Sequence, residues 1–197
     1  MTELTTFGGL VRLAVRTVRE PRPVFTELRA LHLPREALWQ ALIAVVAVSV
    51  ILAELVNMVL AAALGGPAGQ PILSPLAFAG IQLGILMLSV VLIDRVGRMM
   101  GGRGDLDGAI LAVVWLQFVM VCLQIVQSVL LLLFPFGAAL VVILGIAIFL
   151  YLLTAFVTEL HGFDSTGRVF AMILFVLMGV ALGLSFVLTL AGVTVPR

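Results

Sequence analysis

Lysine is absent from this chain, and cysteine, asparagine and tyrosine each occur once in 197 residues. A single thiol, Cys122, excludes an internal disulfide and any metal site built from cysteines. Charge is scarce: 11% of residues are charged, where a soluble domain carries about 25%. A formal net charge of +1 by itself says nothing about nucleic acid or acidic partners; no nucleic-acid partner is expected. The length leaves no room for a sizeable soluble domain beside a helical bundle. The opening 30 residues are studded with Arg and Glu and lack an apolar segment followed by a cleavage site, so they do not read as a signal peptide. The bias toward Arg, Ala, Gly, Val and Leu suggests a GC-rich, bacterial source.

Hydrophobic residues make up 63% of the chain and fall into long runs. A spanning helix needs about 20 apolar residues, because a rise of about 1.5 Å per residue must cross about 30 Å of hydrocarbon. Five spans are predicted: 38–64, 76–93, 109–134, 138–157 and 169–191. The first is interrupted only by Glu54 and Asn57 and ends at the turn-forming GGPAGQP from Gly65 to Pro71. An uncharged run from Ala109 to Val157, some 49 residues, is too long for one span. It is split at FPFG, Phe134 to Gly137, where proline interrupts a helix and glycine permits reversal. His161 and Gly162 suit a helix end, and Asp164 or Ser165 suits the next N-cap. The fold class is therefore an all-α integral membrane protein, a five-helix transmembrane bundle over residues 38–197 preceded by a cytoplasmic, interfacial segment over 1–37.

Arginine placement orients the bundle. Six arginines lie in the first 37 residues, Arg95, Arg98 and Arg103 between spans two and three, and Arg168 before span five. The alternate connections hold none, and only Arg197 falls on the far side. Positive charge stays on the cytoplasmic side, which puts the N-terminus in the cytoplasm and the C-terminus in the periplasm of a bacterial inner membrane.

Within the first segment, Leu4, Phe7, Val11, Ala14 and Val18 recur at helical spacing opposite Arg12, Arg16 and Arg19. Such a helix lies in the membrane interface with its arginines at anionic headgroups. Gly8 and Gly9 are expected to delay its start to about Leu10, and EPRP at Glu20 to Pro23 to break it. Val24, Phe25, Leu28 and Leu31 form a second short apolar face, and Pro34 suits the first turn of the opening span. The segment reads as a collar for the bundle or as a docking surface for a cytoplasmic partner.

Polar residues inside the spans are the candidate site. An acidic group at a span centre costs about 3 kcal/mol on insertion scales, so Glu54 should face the bundle interior. Counting from the arginine-rich ends puts Glu54 and Asn57 level with Gln124, Gln127 and Ser128 in span three and with Ser185 and Thr189 in span five. Gln117, Gln124 and Ser128 share a face. This layer is either interhelical glue or a proton or substrate pathway; in both cases Glu54 is expected within hydrogen-bonding reach of Gln124 or Gln127, directly or through one water. Gly80 with Gly84, and Gly179 with Gly183, are small-xxx-small pairs that permit close helix approach, within a bundle or in a dimer.

No catalytic constellation accompanies these residues. GGRGDLDG, Gly101 to Gly108, lacks the lysine of a phosphate loop and the ligand set of a calcium loop, and reads as a loop ending in an N-cap at Asp105 or Asp107. Glu159, His161 and Asp164 on one short loop do not make a metal site. Both histidines sit at the arginine-rich boundary, far from any buried serine, so no enzyme, metal or cofactor is expected.

Four stretches in order carry a resemblance: EPRPVFTELRAL (Glu20–Leu31), LPREALW (Leu33–Trp39), RVGRMMGGRGDLDGAILAVVW (Arg95–Trp115) and ELHGFDSTGRVF (Glu159–Phe170). Together the sequence resembles a short bacterial branch of the Yip-one domain family, the Ypt/Rab-interacting membrane proteins. The resemblance implies five spans, a cytoplasmic N-terminus and a scaffold-like or trafficking-associated role. The eukaryotic relatives' long acidic, aromatic cytosolic region is not in this sequence, so a Rab-type GTPase is not an expected partner. The expectation is a non-enzymatic membrane scaffold bound to the bilayer and to another membrane protein, with a small transporter or channel using the Glu54 layer as the alternative.

Overall fold

The computed structural model describes residues 6–64 and 74–190, and among these every regular element is a helix. Two short helices, α1 (Phe7–Arg19) and α2 (Pro21–Arg29), precede five long ones: α3 (Arg35–Leu64), α4 (Pro75–Met99), α5 (Leu106–Leu133), α6 (Pro135–His161) and α7 (Thr166–Leu190). All five are long and apolar enough to cross a membrane. The stretch GGPAGQP and Arg197, both used above for topology, lie outside the described residues.

Compared with the expected spans, every long helix runs three to six residues further at the end that carries the arginines. Hydropathy stops at the edge of the hydrocarbon, but backbone hydrogen bonding continues until a cap ends it. The caps are visible: Asp105 accepts from the Gly108 N–H at 3.2 Å, Ser165 accepts from the Arg168 N–H at 3.3 Å, and Gly162 closes α6 at φ 67°. At 27 residues, α6 is about 40 Å long against about 30 Å of hydrocarbon, so roughly 10 Å extends beyond it. Between α5 and α6 the connection is Phe134 alone, because Pro135 opens α6 at its first position, where no N–H is needed.

The N-terminal segment departs from expectation in two ways. α1 begins at Phe7, not near Leu10: the Thr6 hydroxyl accepts from the Gly9 N–H at 3.3 Å, and this cap outweighs the low helix propensity of Gly8 and Gly9. Part of its apolar face also packs on the long helices, while Val11 and Val18 stay half-buried. Leu13, Ala14 and Thr17 are buried on α1, as are Val24, Phe25 and Leu28 on α2. Phe25 stacks on Phe156 of α6 with ring centroids 5.0 Å apart. Trp115 of α5 donates its indole N–H to the Thr17 hydroxyl at 2.9 Å, and that hydroxyl donates to the Leu13 carbonyl at 2.7 Å.

α5 is the central helix. It touches α1, α2, α3, α4 and α6, and each residue from Gly108 to Leu116 is buried. α7 is the opposite case: among the described residues its backbone comes close to that of α6 only, with one side-chain tie from Arg22 of α2 to Thr166. Packing is dense at the arginine-bearing end, called here the charged end, and opens toward the other.

Candidate functional site

At the charged end, ion pairs stitch the helices together. Arg29 of α2 reaches Asp105 at 3.5 Å, and Arg35 of α3 reaches Asp107 at 2.6 Å, so both helices are tied to the first turn of α5. Thr26 donates to Glu159 of α6 at 3.0 Å, and Arg22 donates to the Thr166 hydroxyl of α7. Asp94, buried near the end of α4, pairs with Arg98 and, at 3.8 Å, with Arg95. Its Oδ1 has no hydrogen-bond partner among the described residues.

His161 lies at the centre of this end, 2% exposed. Its Nδ1 accepts from the Gly104 N–H at 3.1 Å, so Nε2 carries the proton and donates to the Ile93 carbonyl at 3.0 Å. The His161 carbonyl accepts from the Arg103 N–H at 3.1 Å. Glycines make room for the ring: a Cβ added at Gly97, Gly102 or Gly104 would come within 2.1, 2.5 or 2.6 Å of it. The glycine-rich RVGRMMGGRGDLDG stretch is thus a socket for one imidazole. Neither the sequence spacing nor the composition pointed to that pairing, although the glycine density was the available signal.

Within the spans, the polar side chains meet one level away from the expected layer. Ser49 of α3 and Gln82 of α4 exchange hydrogen bonds at 2.9 and 3.1 Å, and Gln124 of α5 donates to the Ser49 carbonyl at 3.1 Å. Glu54 is half-buried, and among the described residues it makes no hydrogen bond to Gln124, Gln127 or any other group. The expected Glu54–glutamine contact is therefore not formed, because Ser49, more than one helical turn nearer the charged end, occupies the Gln124 amide. Asn57 and Ser185 are exposed, Gln127 is half-buried, and Ser128 donates to the Gln124 carbonyl of its own helix at 2.7 Å.

Gly80, Gly84, Gly179 and Gly183 pack against nothing in the chain: a Cβ at each would meet no atom within 4 Å among the described residues. The close helix approach expected at these glycines within the bundle is therefore not formed among the described residues. Arg12 and Arg19 are exposed, but Arg16 is held by Glu27 through two hydrogen bonds of 2.9 and 2.6 Å and approaches Glu20 at 3.6 Å. The hydrogen bond and the negative charge of Glu27 raise the Arg16 pKa, so this member of the arginine face is committed to an internal carboxylate.

The backbones of α4 and α7 stay apart, and a cleft of about 410 Å³ lies between them, with α5 and α6 as its floor. Ile85 and Leu86 on one wall, Ile173 and Leu177 on the other, and Leu116 and Phe149 below make it apolar. Three polar side chains enter it: Gln82, Ser89 and Gln117. Gln82 is satisfied by Ser49, and Ser89 donates to the Ile85 carbonyl at 2.8 Å. The half-buried Gln117 amide makes no hydrogen bond among the described residues. Among those residues no group of three His, Cys, Asp or Glu side chains is placed to hold a metal ion.

A family model described as Yip1 domain matches residues 15–187. No curated protein and no solved structure matches the chain.

Proposed function

The chain belongs to the Yip1 domain family, and from that premise we propose that it is a non-enzymatic scaffold or assembly protein of a bacterial inner membrane, holding another membrane protein through the α4–α7 cleft. The charged end faces the cytoplasm and the C-terminus the periplasm in this reading. Its support is the collection of ten of the eleven arginines on one side of the bundle's long helices.

The observation that carries the scaffold reading is the Gln117 amide in the cleft. Gln117 lies 11 residues into α5, about 16 Å from its first residue, which is membrane depth. An amide left without partners in hydrocarbon costs on the order of a few kcal/mol. Lipid tails offer it no donor or acceptor. A helix of a partner protein carrying one polar side chain does, and interhelical hydrogen bonds of this kind contribute about 0.6–2 kcal/mol each.

A photoactivatable residue at Ile85, on the α4 wall, tests this in intact membranes. It should form a discrete protein adduct that Gln117→Leu abolishes, while the same probe at Ile143, exposed but outside the cleft, forms none. Adducts to lipid alone would sink the proposal. So would saturable solute flux in proteoliposomes, which would favour the transporter alternative.

A further inference from the structure

A second hollow lies on another face of α6. α1 ends at Arg19 and α2 begins at Pro21, so the backbone turns at Glu20 and sets Arg19 and Arg22 on either side of the bend. Beneath that bend, bounded by α6 and the first turns of α7, is a hollow of about 840 Å³. Its rim carries Arg19, Arg22 and Thr166, and its floor Ala147, Leu150 and Phe170.

The rim is cationic in net effect. Arg16, Arg29, Arg35, Arg95 and Arg98 all meet carboxylates, but among the described residues neither Arg19 nor Arg22 does. Arg22 uses one of its donors on Thr166 and keeps the others. Glu20 also lines the hollow, but Arg16 faces its carboxylate at 3.6 Å. Depth matters as well. If the excess length of α6 protrudes at the charged end, Leu150 and Tyr151 fall near the edge of the hydrocarbon, and Tyr151 is 49% exposed there, as an aromatic at a membrane interface should be. Cations above that edge and an apolar groove below it match one molecule, with an anionic head and a hydrocarbon tail.

We propose that this hollow binds an anionic phospholipid, its phosphate between Arg19 and Arg22 and one acyl chain along Ala147, Leu150 and Phe170. A soluble anion would use the rim and leave the floor bare. The site shares no residue with the α4–α7 cleft and stands independently of the scaffold reading.

Native mass spectrometry of the full chain in mild detergent, titrated with phosphatidylglycerol or phosphatidylcholine, tests it. The wild type should retain one phosphatidylglycerol in preference to phosphatidylcholine. Arg19→Gln with Arg22→Gln should lower that preference about thirtyfold, the value expected for two arginines at an anionic surface. Arg12→Gln with Arg103→Gln removes equal charge from exposed positions off the hollow and should leave it unchanged. Ala147→Trp fills the floor and should expel the lipid with both arginines intact. Unchanged preference in the Arg19/Arg22 variant overturns the proposal, as does an equal loss in the Arg12/Arg103 control. Retention in Ala147→Trp, or displacement by millimolar inorganic phosphate, overturns the lipid in favour of a simple anion site.

Discussion

Replacing Gly97 with alanine adds one methyl group to a helix and, by propensity alone, should stabilise it by up to about 1 kcal/mol. The structure reverses that sign. The new Cβ would lie 2.1 Å from Nε2 and 2.3 Å from Cε1 of His161, far inside van der Waals contact. The ring has nowhere to retreat, since Gly102 and Gly104 close on its other atoms and α4 backbone lies at its Nε2 edge. Displacing it breaks the hydrogen bonds to Gly104 and Ile93, each worth about 1 kcal/mol net and more when a buried group is left unpaired. Overpacking adds about 1–3 kcal/mol. The sum is roughly 3 kcal/mol, or on the order of 6–12 °C in Tm for a chain of this size. Thermal unfolding in mild detergent, followed by circular dichroism, measures it. Gly84→Ala, where the methyl meets open space, is the matched control and should leave Tm unchanged or slightly raised. In a His161→Ala background, which is itself destabilised, Gly97→Ala should cost nothing further, because the clash has gone. A Gly97→Ala Tm within about 1 °C of wild type, or the same cost in both backgrounds, would refute the socket.

Two further outcomes follow from the charged end. Thr17→Val keeps the side-chain shape but leaves the buried Trp115 N–H without its acceptor, so it should cost about 1–3 kcal/mol in the same unfolding assay. Thr17→Ser restores the acceptor and should recover most of that loss; equal losses for both variants would mean the hydrogen bond is immaterial. For orientation, a reporter active only outside the cytoplasm should be silent when fused after Gly102 or Gly162 and active after Arg197. Activity at Gly102 would invert the bundle.

The five spans, their punctuation and the amphipathic start were legible in the sequence because each rests on a local constraint. Hydrocarbon of fixed thickness demands a minimum apolar length; Asp105, Ser165 and Gly162 begin or end helices through bonds to residues only a few positions away, and Pro135 opens α6 through its fixed φ. The identity of side-chain partners was not legible. His161 and Gly104 are separated by 57 positions, Thr17 and Trp115 by 98, and Ser49 and Gln124 by 75. Which of them meet depends on the rotation and axial offset of whole helices, and a shift of one turn sufficed to give the Gln124 amide to Ser49 rather than to Glu54. The sequence alone determined that the chain is a helical membrane bundle, since its apolar runs of 18 residues and more satisfy their backbone in lipid as helices, whereas the strands of a barrel would alternate apolar with polar residues. Tertiary structure alone decided that α1 and α2 cover α5 and α6, that the backbone of α7 stands off from α4, and that Gln117 has no partner among the described residues. Those outcomes depend on side-chain shape and helix orientation in three dimensions, which apolar periodicity along the chain does not encode.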